Sequence, residues 1–274
     1  MKSKRLNFIF LLITFIVMAY LVFTRVGFIY GILSIILMII YFIVSNRYIY
    51  YILKANLAAK TNDNKIILNY FEKAYKCKGC PNGTKISYSF LLLKNGRVDE
   101  AFKLLNELKI NTFEKTERAR VDMNLSIAYY LKGDLTKAIS ILENLKESFK
   151  NSVLYGNLGA LYIDERDYNK ALKFCEEAYE YNDKDIGIVD NLATVHLELK
   201  NYEKSEKYFI ELMELNPKDP NCYFSYGRLE EELGNKDKAL ELYETSLKKE
   251  PNFFSKFNRE EALNRIKSIT VNNE

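Results

Sequence analysis

The sequence has 274 residues, 48% of them apolar, and a formal net charge of +4. That is enough apolar material for one elongated domain or two small ones, and four cysteines in this length exclude a disulfide framework. Charge is unevenly placed: only Lys2, Lys4, Arg5 and Arg25 precede Asn46, residues 46–117 carry 13 basic and 7 acidic side chains, and residues 118–274 carry 23 and 29. The region from Asn46 onward therefore has no net charge, which argues against nucleic acid as a partner. Its basic part lies next to the apolar N-terminus, as beside an anionic leaflet.

Residues 6–24 carry no charge, Arg25 follows, and residues 26–45 again carry none. Each run is about long enough to cross a hydrocarbon core of roughly 30 Å at about 1.5 Å per residue. As one helix the two would be about twice too long, so a transmembrane helical hairpin is predicted, with Arg25, Val26 and Gly27 as its turn. Tyr48, Tyr50 and Tyr51 follow, where interfacial aromatics sit. A cleaved signal peptide is the rival reading, since Lys2, Lys4 and Arg5 resemble its basic start. No A-x-A-like site ends the first run, however, and a second full-length run comes directly after it. Three Lys and Arg precede the hairpin and Arg47, Lys54, Lys60 and Lys65 follow it, against Arg25 alone in the turn. The positive-inside rule then puts residues 1–5 and the region after residue 45 in the cytoplasm, giving a multi-pass protein of the cell membrane. Gly27 and Gly31 form a GxxxG that serves the turn or close helix packing, within the hairpin or between chains, and so leaves a homo-oligomer open.

From Tyr48 the chain repeats. Asn157–Asp185 reads as two short helices, with Leu158, Gly159 and Tyr162 on the first, Ala171, Cys175 and Ala178 on the second, and Arg166 and Asp167 turning between them. Small residues let two helices approach and large ones fill the gap. Units start near Tyr48, Asn82, Ala119, Ser152, Ile186 and Pro220, at spacings of 34, 37, 33, 34 and 34. The Ile186 unit carries Leu192, Ala193, Phe209 and Pro217; the Pro220 unit carries Tyr226, Gly227, Gly234, Ala239, Tyr243 and Pro251. Prolines end the second helices because proline cannot continue the ladder. Leu125, Tyr129, Gly133 and Ala138 mark the Ala119 unit, and Gly96, Ala101 and Leu105 the Asn82 unit. The Tyr48 unit keeps Phe71 and Ala74 but has Lys54 in place of Leu and Asn62 in place of Gly. It is either a degenerate first repeat or a helix continuing from the membrane. The spacing of 37 places about three extra residues near 111–115. Residues 253–270 read as a closing helix, with Phe257, Ala262 and Ile266 toward the last repeat, and 271–274 as a frayed tail.

This pattern resembles the tetratricopeptide repeat, over residues 48–270 and most closely from Ala119. The resemblance implies an all-α fold, a right-handed solenoid of helical hairpins over residues 48–252 behind the two-helix transmembrane hairpin. It also implies a ligand groove. First helices line the concave face in the family, which puts Phe90, Met123, Ile127, Tyr130, Ile163, Asp190, Thr194, Phe224 and Arg228 there. Apolar and aromatic residues with a few charges suit a peptide or protein partner. The carboxylate clamp of chaperone-binding members would fall on Gly156, Ala160, Gly187 and Asn191. Only Asn191 fits, so the clamp is not expected, and Asn124, Asn157 and Asn191 match the family's structural Asn.

No catalytic constellation stands out. Cys77 and Cys80 have redox or metal spacing, but a tetrahedral zinc needs four ligands and no second CxxC exists. His196, the single histidine, stands where sister repeats carry Tyr129 and Tyr162, which makes it core filler; no acid and nucleophile are spaced to use it. There is no phosphate-cradling glycine loop and no GxSxG. The sequence thus points to an integral membrane scaffold that binds a protein or peptide without cofactor, metal or catalysis. Its rivals are a membrane-tethered thiol redox or metal-binding protein using Cys77 and Cys80, and the same scaffold with its repeats outside the cell.

Overall fold

Gly27 splits the apolar N-terminus into two helices, α1 (Lys2–Arg25) and α2 (Phe28–Ser45). Its φ of +129° is one that side chains rarely adopt. The computed structural model describes residues 2–61 and 63–271, so Asn62 and the tail from residue 272 lie outside the described residues. By its internal packing the chain divides into residues 1–91 and 92–274.

In the first unit α1 and α2 pack as a hairpin. Gly31 is buried, and a Cβ there would come within 2.4 Å of the Phe23 ring. Phe15 meets Tyr41 at 6.1 Å between ring centroids and Phe23 meets Phe28 edge-on at 5.6 Å. The GxxxG thus has two separate jobs, a turn at Gly27 and close packing at Gly31. Outside that contact α2 is bare: Phe28, Ile29, Leu33, Ile36, Leu37, Ile40 and Ile43 are exposed. Among the described residues, Phe28–Ser45 is the one helix long and apolar enough to cross a membrane; the described apolar part of α1, Ile13–Arg25, is shorter. Helices α3 (Arg47–Ala58) and α4 (Asn64–Tyr75) form the next pair around buried Ala55 and Ala74. Asp63 caps α4 by accepting from the Lys65 and Ile66 amides. Lys54 is half-buried with its ammonium 5.8 Å from the Tyr50 ring centroid, so its stem takes the place of a Leu.

Helix α5 (Asn82–Lys94) runs across the division of the chain. In the second unit α6 (Val98–Asn111) is followed by four hairpins: α7 (Lys115–Leu131) with α8 (Leu135–Lys146), α9 (Ser152–Asp164) with α10 (Tyr168–Tyr181), α11 (Ile186–Glu198) with α12 (Tyr202–Glu214), and α13 (Pro220–Glu232) with α14 (Lys236–Leu247). First helices pack side by side, α9 on α11 and α11 on α13. No strand occurs among the described residues. The longer spacing before the third unit coincides with the 17 residues of α7, an extra helical turn.

Two positions recur through these repeats. Ala101, Ala138, Ala171 and Ala239 are fully buried on the second helices, and Ser205 holds the same place, its hydroxyl donating to the Ala193 carbonyl at 2.9 Å. Only a very small side chain lets the two helices come this close. Between the helices of each pair one residue is left-handed: Gly96, Gly133 and Gly234, but Arg166 (φ 63°) and Lys200 (φ 60°) in the middle repeats.

The closing helix is shorter than the 253–270 expected. Helix α15 runs Arg259–Val271 and buries Ala262 and Ile269 against Tyr243. Asn258 starts it by accepting from the Glu260 and Glu261 amides at 3.0 and 3.2 Å, while Asn252 accepts from the Phe254 amide at 2.8 Å. These side chains compete with helix formation upstream and leave residues 252–258 as a non-helical strap.

Candidate functional site: the first-helix face and the strap across it

The repeat period puts Ser126, Ile127 and Tyr130 of α7 opposite Asn157, Ala160, Leu161 and Asp164 of α9. Phe254 and Lys256 of the strap close the space between them, leaving a cleft of about 90 Å³, room for a few waters or part of a side chain. Lys256 Nζ donates to Asp164 Oδ1 at 2.5 Å and reaches the Ala160 carbonyl at 3.5 Å. Further along, Ser255 Oγ donates to Asp219 Oδ1 at 2.6 Å, and Asn252 Nδ2 donates to Asp219 Oδ2. Phe257 lies edge-on to Phe224 of α13, 5.8 Å between centroids. Asp219 also caps α13, accepting from the Asn221 amide at 2.9 Å.

The face beneath the strap is acidic and partly dry. Asp190 of α11 has Oδ1 buried without a hydrogen-bond partner among the described residues. Burial, then the Asp219 carboxylate, push its pKa up to about 7, against the pull of Cys222 and Lys256. Burial also raises the Cys222 thiol, with Asp190 and Asp219 adding to it. The Tyr130 hydroxyl is pushed up to about 12 by burial and by Asp164.

The sequence-predicted groove residues fall into four sets. Ile127 and Tyr130 line the cleft, and Asp190 lies on the acidic face. Met123 is buried and Ile163 half-buried in the core around α8 to α10, while Phe224 is buried with Tyr243, Ala262 and Ile269. Arg228 pairs with Glu198 at 3.0 Å, and Thr194 is half-buried on α11. Phe90, 37% exposed, belongs to residues 1–91. Asn191 donates to the Gly156 carbonyl at 2.7 Å, tying α11 to α9, so its amide is spent on packing. The strap was the missed element. Its signal is Phe253, Phe254 and Phe257 around Lys256, framed by Asn252 and Asn258.

The other candidates are structural in their surroundings. His196 is buried, stacks on Tyr208 at 5.6 Å between centroids, and has its pKa lowered by burial. All four cysteines are free and buried. Burial raises the Cys80 thiol, the opposite of what a reactive thiolate needs. Among the described residues no group of three or more His, Cys, Asp or Glu could hold a metal ion.

Three sequence models of one family, the tetratricopeptide repeat, match residues 121–152, 153–185 and 185–248. The chain is a tetratricopeptide repeat protein. Among solved structures it is similar to the Cut9–Hcn1 hetero-tetramer of the APC/C (TM-score 0.66, 14% identity), covering 83% of this chain and 45% of that one. It is also similar to pilF of Pseudomonas aeruginosa (0.60, 11%, covering 84% and 99%) and to a tetratricopeptide repeat protein of Parabacteroides merdae (0.52, 16%, covering 82% and 99%). At such identities the likeness speaks for the fold of this tetratricopeptide repeat protein alone. No curated protein matches its sequence.

Proposed function

We propose that this tetratricopeptide repeat protein is a membrane-tethered scaffold whose first-helix face binds a segment of a partner protein. The observation that carries the reading is the strap: α7, α9 and α13 already hold a non-helical stretch of polypeptide by an ion pair, hydroxyl and amide bonds, and aromatic contacts. A face with those groups is suited to peptide recognition. We assign it no catalytic step. Tethering is supported by the exposed apolar surface of α2 and the hairpin it forms with α1, and a cytoplasmic placement of the repeats by the Lys and Arg on both flanks. Holding a partner at a surface raises its effective concentration.

The test is a crosslinked pull-down of the intact protein from membranes, compared with a form lacking residues 1–45. Shared partners that are membrane-enriched only with the intact form support the scaffold. An N-terminus removed in the mature protein would instead mark the apolar segment as a signal sequence and end the tethering reading. For topology, a membrane-impermeant thiol label needs an introduced site, because the native cysteines are buried. Lys184, 78% exposed, is suitable as Lys184→Cys, and its labelling in intact cells would put the repeats outside.

A further inference from the structure

We propose that residues 252–257 are a built-in ligand of the first-helix face, and that the partner's segment has the same chemistry: a non-helical stretch with a Lys two residues after a Phe and beside a second aromatic. This rests on the reading of that face as the partner site.

Helix α15 covers the last repeat through Ala262 and Ile269, and Phe257 at the end of the strap packs on the same cluster. The cap needs no contact beyond these, so the reach of Lys256 back to α9 is extra. The fit is chemical as well as spatial. Asp164, Asp190 and Asp219 stand on α9, on α11 and at the start of α13. Lys256 takes the first, Asn252 and Ser255 take the third, and Lys256 also acts on Asp190 through space. Phe254 enters the cleft beside Ile127, Tyr130 and Leu161, and Phe257 rests on Phe224.

The same contacts make the strap displaceable. Lys256 is 40% exposed, so water competes for its ammonium even though Asp164 is 24% exposed with Oδ2 buried, and a half-exposed ion pair is a modest tether. The unfilled space beside Phe254 means the strap does not complete the site. Proximity adds to these contacts. Residues 248–251 join it to the end of α14, and a short link gives an effective concentration on the order of millimolar. A partner segment therefore binds with an apparent affinity reduced by the fraction of time the face is open. The basic and aromatic character of the strap identifies the segment that competes with it.

The probe is a fluorescein-labelled peptide, NFFSKFN, titrated with the full-length protein in detergent micelles and read by fluorescence anisotropy. The wild-type protein should bind it weakly. Lys256→Glu, which sets the strap's own charge against Asp164, should bind it about tenfold tighter, while a peptide with Glu in place of its Lys should not bind. Adding Asp164→Lys re-forms the internal pair with reversed charge and should remove the gain. Unchanged affinity in Lys256→Glu, or equal binding of the Glu peptide, would overturn the proposal. If Lys256→Glu loses helicity by circular dichroism, Asn252→Ala with Ser255→Ala opens the strap at Asp219 instead. Loss of helicity in both would make the strap part of the fold and also overturn it. No natural partner enters this titration, so a negative result leaves the pull-down to judge the scaffold by itself, and a failed pull-down leaves the titration standing.

Discussion

Lys256 Nζ and Asp164 Oδ1 lie 2.5 Å apart although 92 residues separate them in sequence. The contact ties the segment after the last repeat to a helix two repeats earlier. Its energetic weight is modest, because Lys256 is 40% exposed and water competes for its ammonium, although Asp164 is 24% exposed and its Oδ2 is buried; a half-exposed ion pair contributes about 1 kcal/mol. Phe224 is different: 6% exposed, it packs on Tyr243 and Phe257. Lys256→Ala should therefore lower the urea midpoint only slightly, while Phe224→Ala should cost about 3 kcal/mol, within the usual range for a buried Phe. Comparable losses for the two would mean that the strap contact is a structural anchor.

Gly227 faces the ring of Tyr243, and a Cβ added there would come within 2.6 Å of its Cε1. Tyr243 is fully buried, and its hydroxyl donates to Glu231 at 2.6 Å, so the ring cannot swing aside. Gly227→Ala should destabilise by about 1–3 kcal/mol through overpacking, despite the better helix propensity of Ala. Chemical denaturation checks this, and a neutral or stabilised variant would show that α13 and α14 can move apart.

The middle repeats break the glycine pattern at their turns. Arg166 and Lys200 adopt the left-handed conformation that Gly133 and Gly234 adopt without strain. Left-handed backbone costs a non-glycine residue on the order of 1 kcal/mol. Arg166→Gly with Lys200→Gly should thus raise the thermal midpoint by a few degrees, since about 1 kcal/mol moves a domain of this size by roughly 2–4 °C. No gain would mean that the extra freedom of glycine in the unfolded chain cancels the relief.

The repeats were legible because their constraint is local and periodic. A small residue at Ala138, Ala171 and Ala239 and a turn after each first helix announce a hairpin within about 34 residues. Ile127 and Tyr130 came into the site by that same period. Phe224 and Met123 followed the period too, but neighbouring helices bury them, and exposure is a tertiary property that one repeat cannot encode. The strap was hidden for two reasons. Phe257, Ala262 and Ile266 mimic the apolar spacing of one continuous helix, and that pattern masks the two asparagines that stop it. The pairing of Lys256 with Asp164 also leaves no trace in sequence, because nothing local links residues this far apart.

Asp190 supplies a pH dependence with a definite sign. Its folded pKa of about 7, raised by burial and by Asp219, lies well above the unfolded value of 3.8. Between those values the folded protein holds a proton that the unfolded chain has released, so the stabilising contribution is full below about pH 4 and is lost as pH rises through about 7. Above that the face carries a buried, ionised carboxylate near Asp219, offset only in part by Cys222 and Lys256. Asp190→Asn keeps the shape and removes the charge. Its stability relative to wild type should be similar near pH 4 and should improve steadily toward pH 8, by on the order of 1 kcal/mol or more. Urea midpoints of the two proteins at pH 4, 6 and 8 measure the difference directly, and the subtraction cancels groups that titrate alike in both. A gap that stays constant would remove Asp190 as a titrating group. A variant that becomes less stable than wild type at pH 8 would mean that the ionised carboxylate is held favourably by Lys256, making the strap's cation a stronger partner than burial is a penalty.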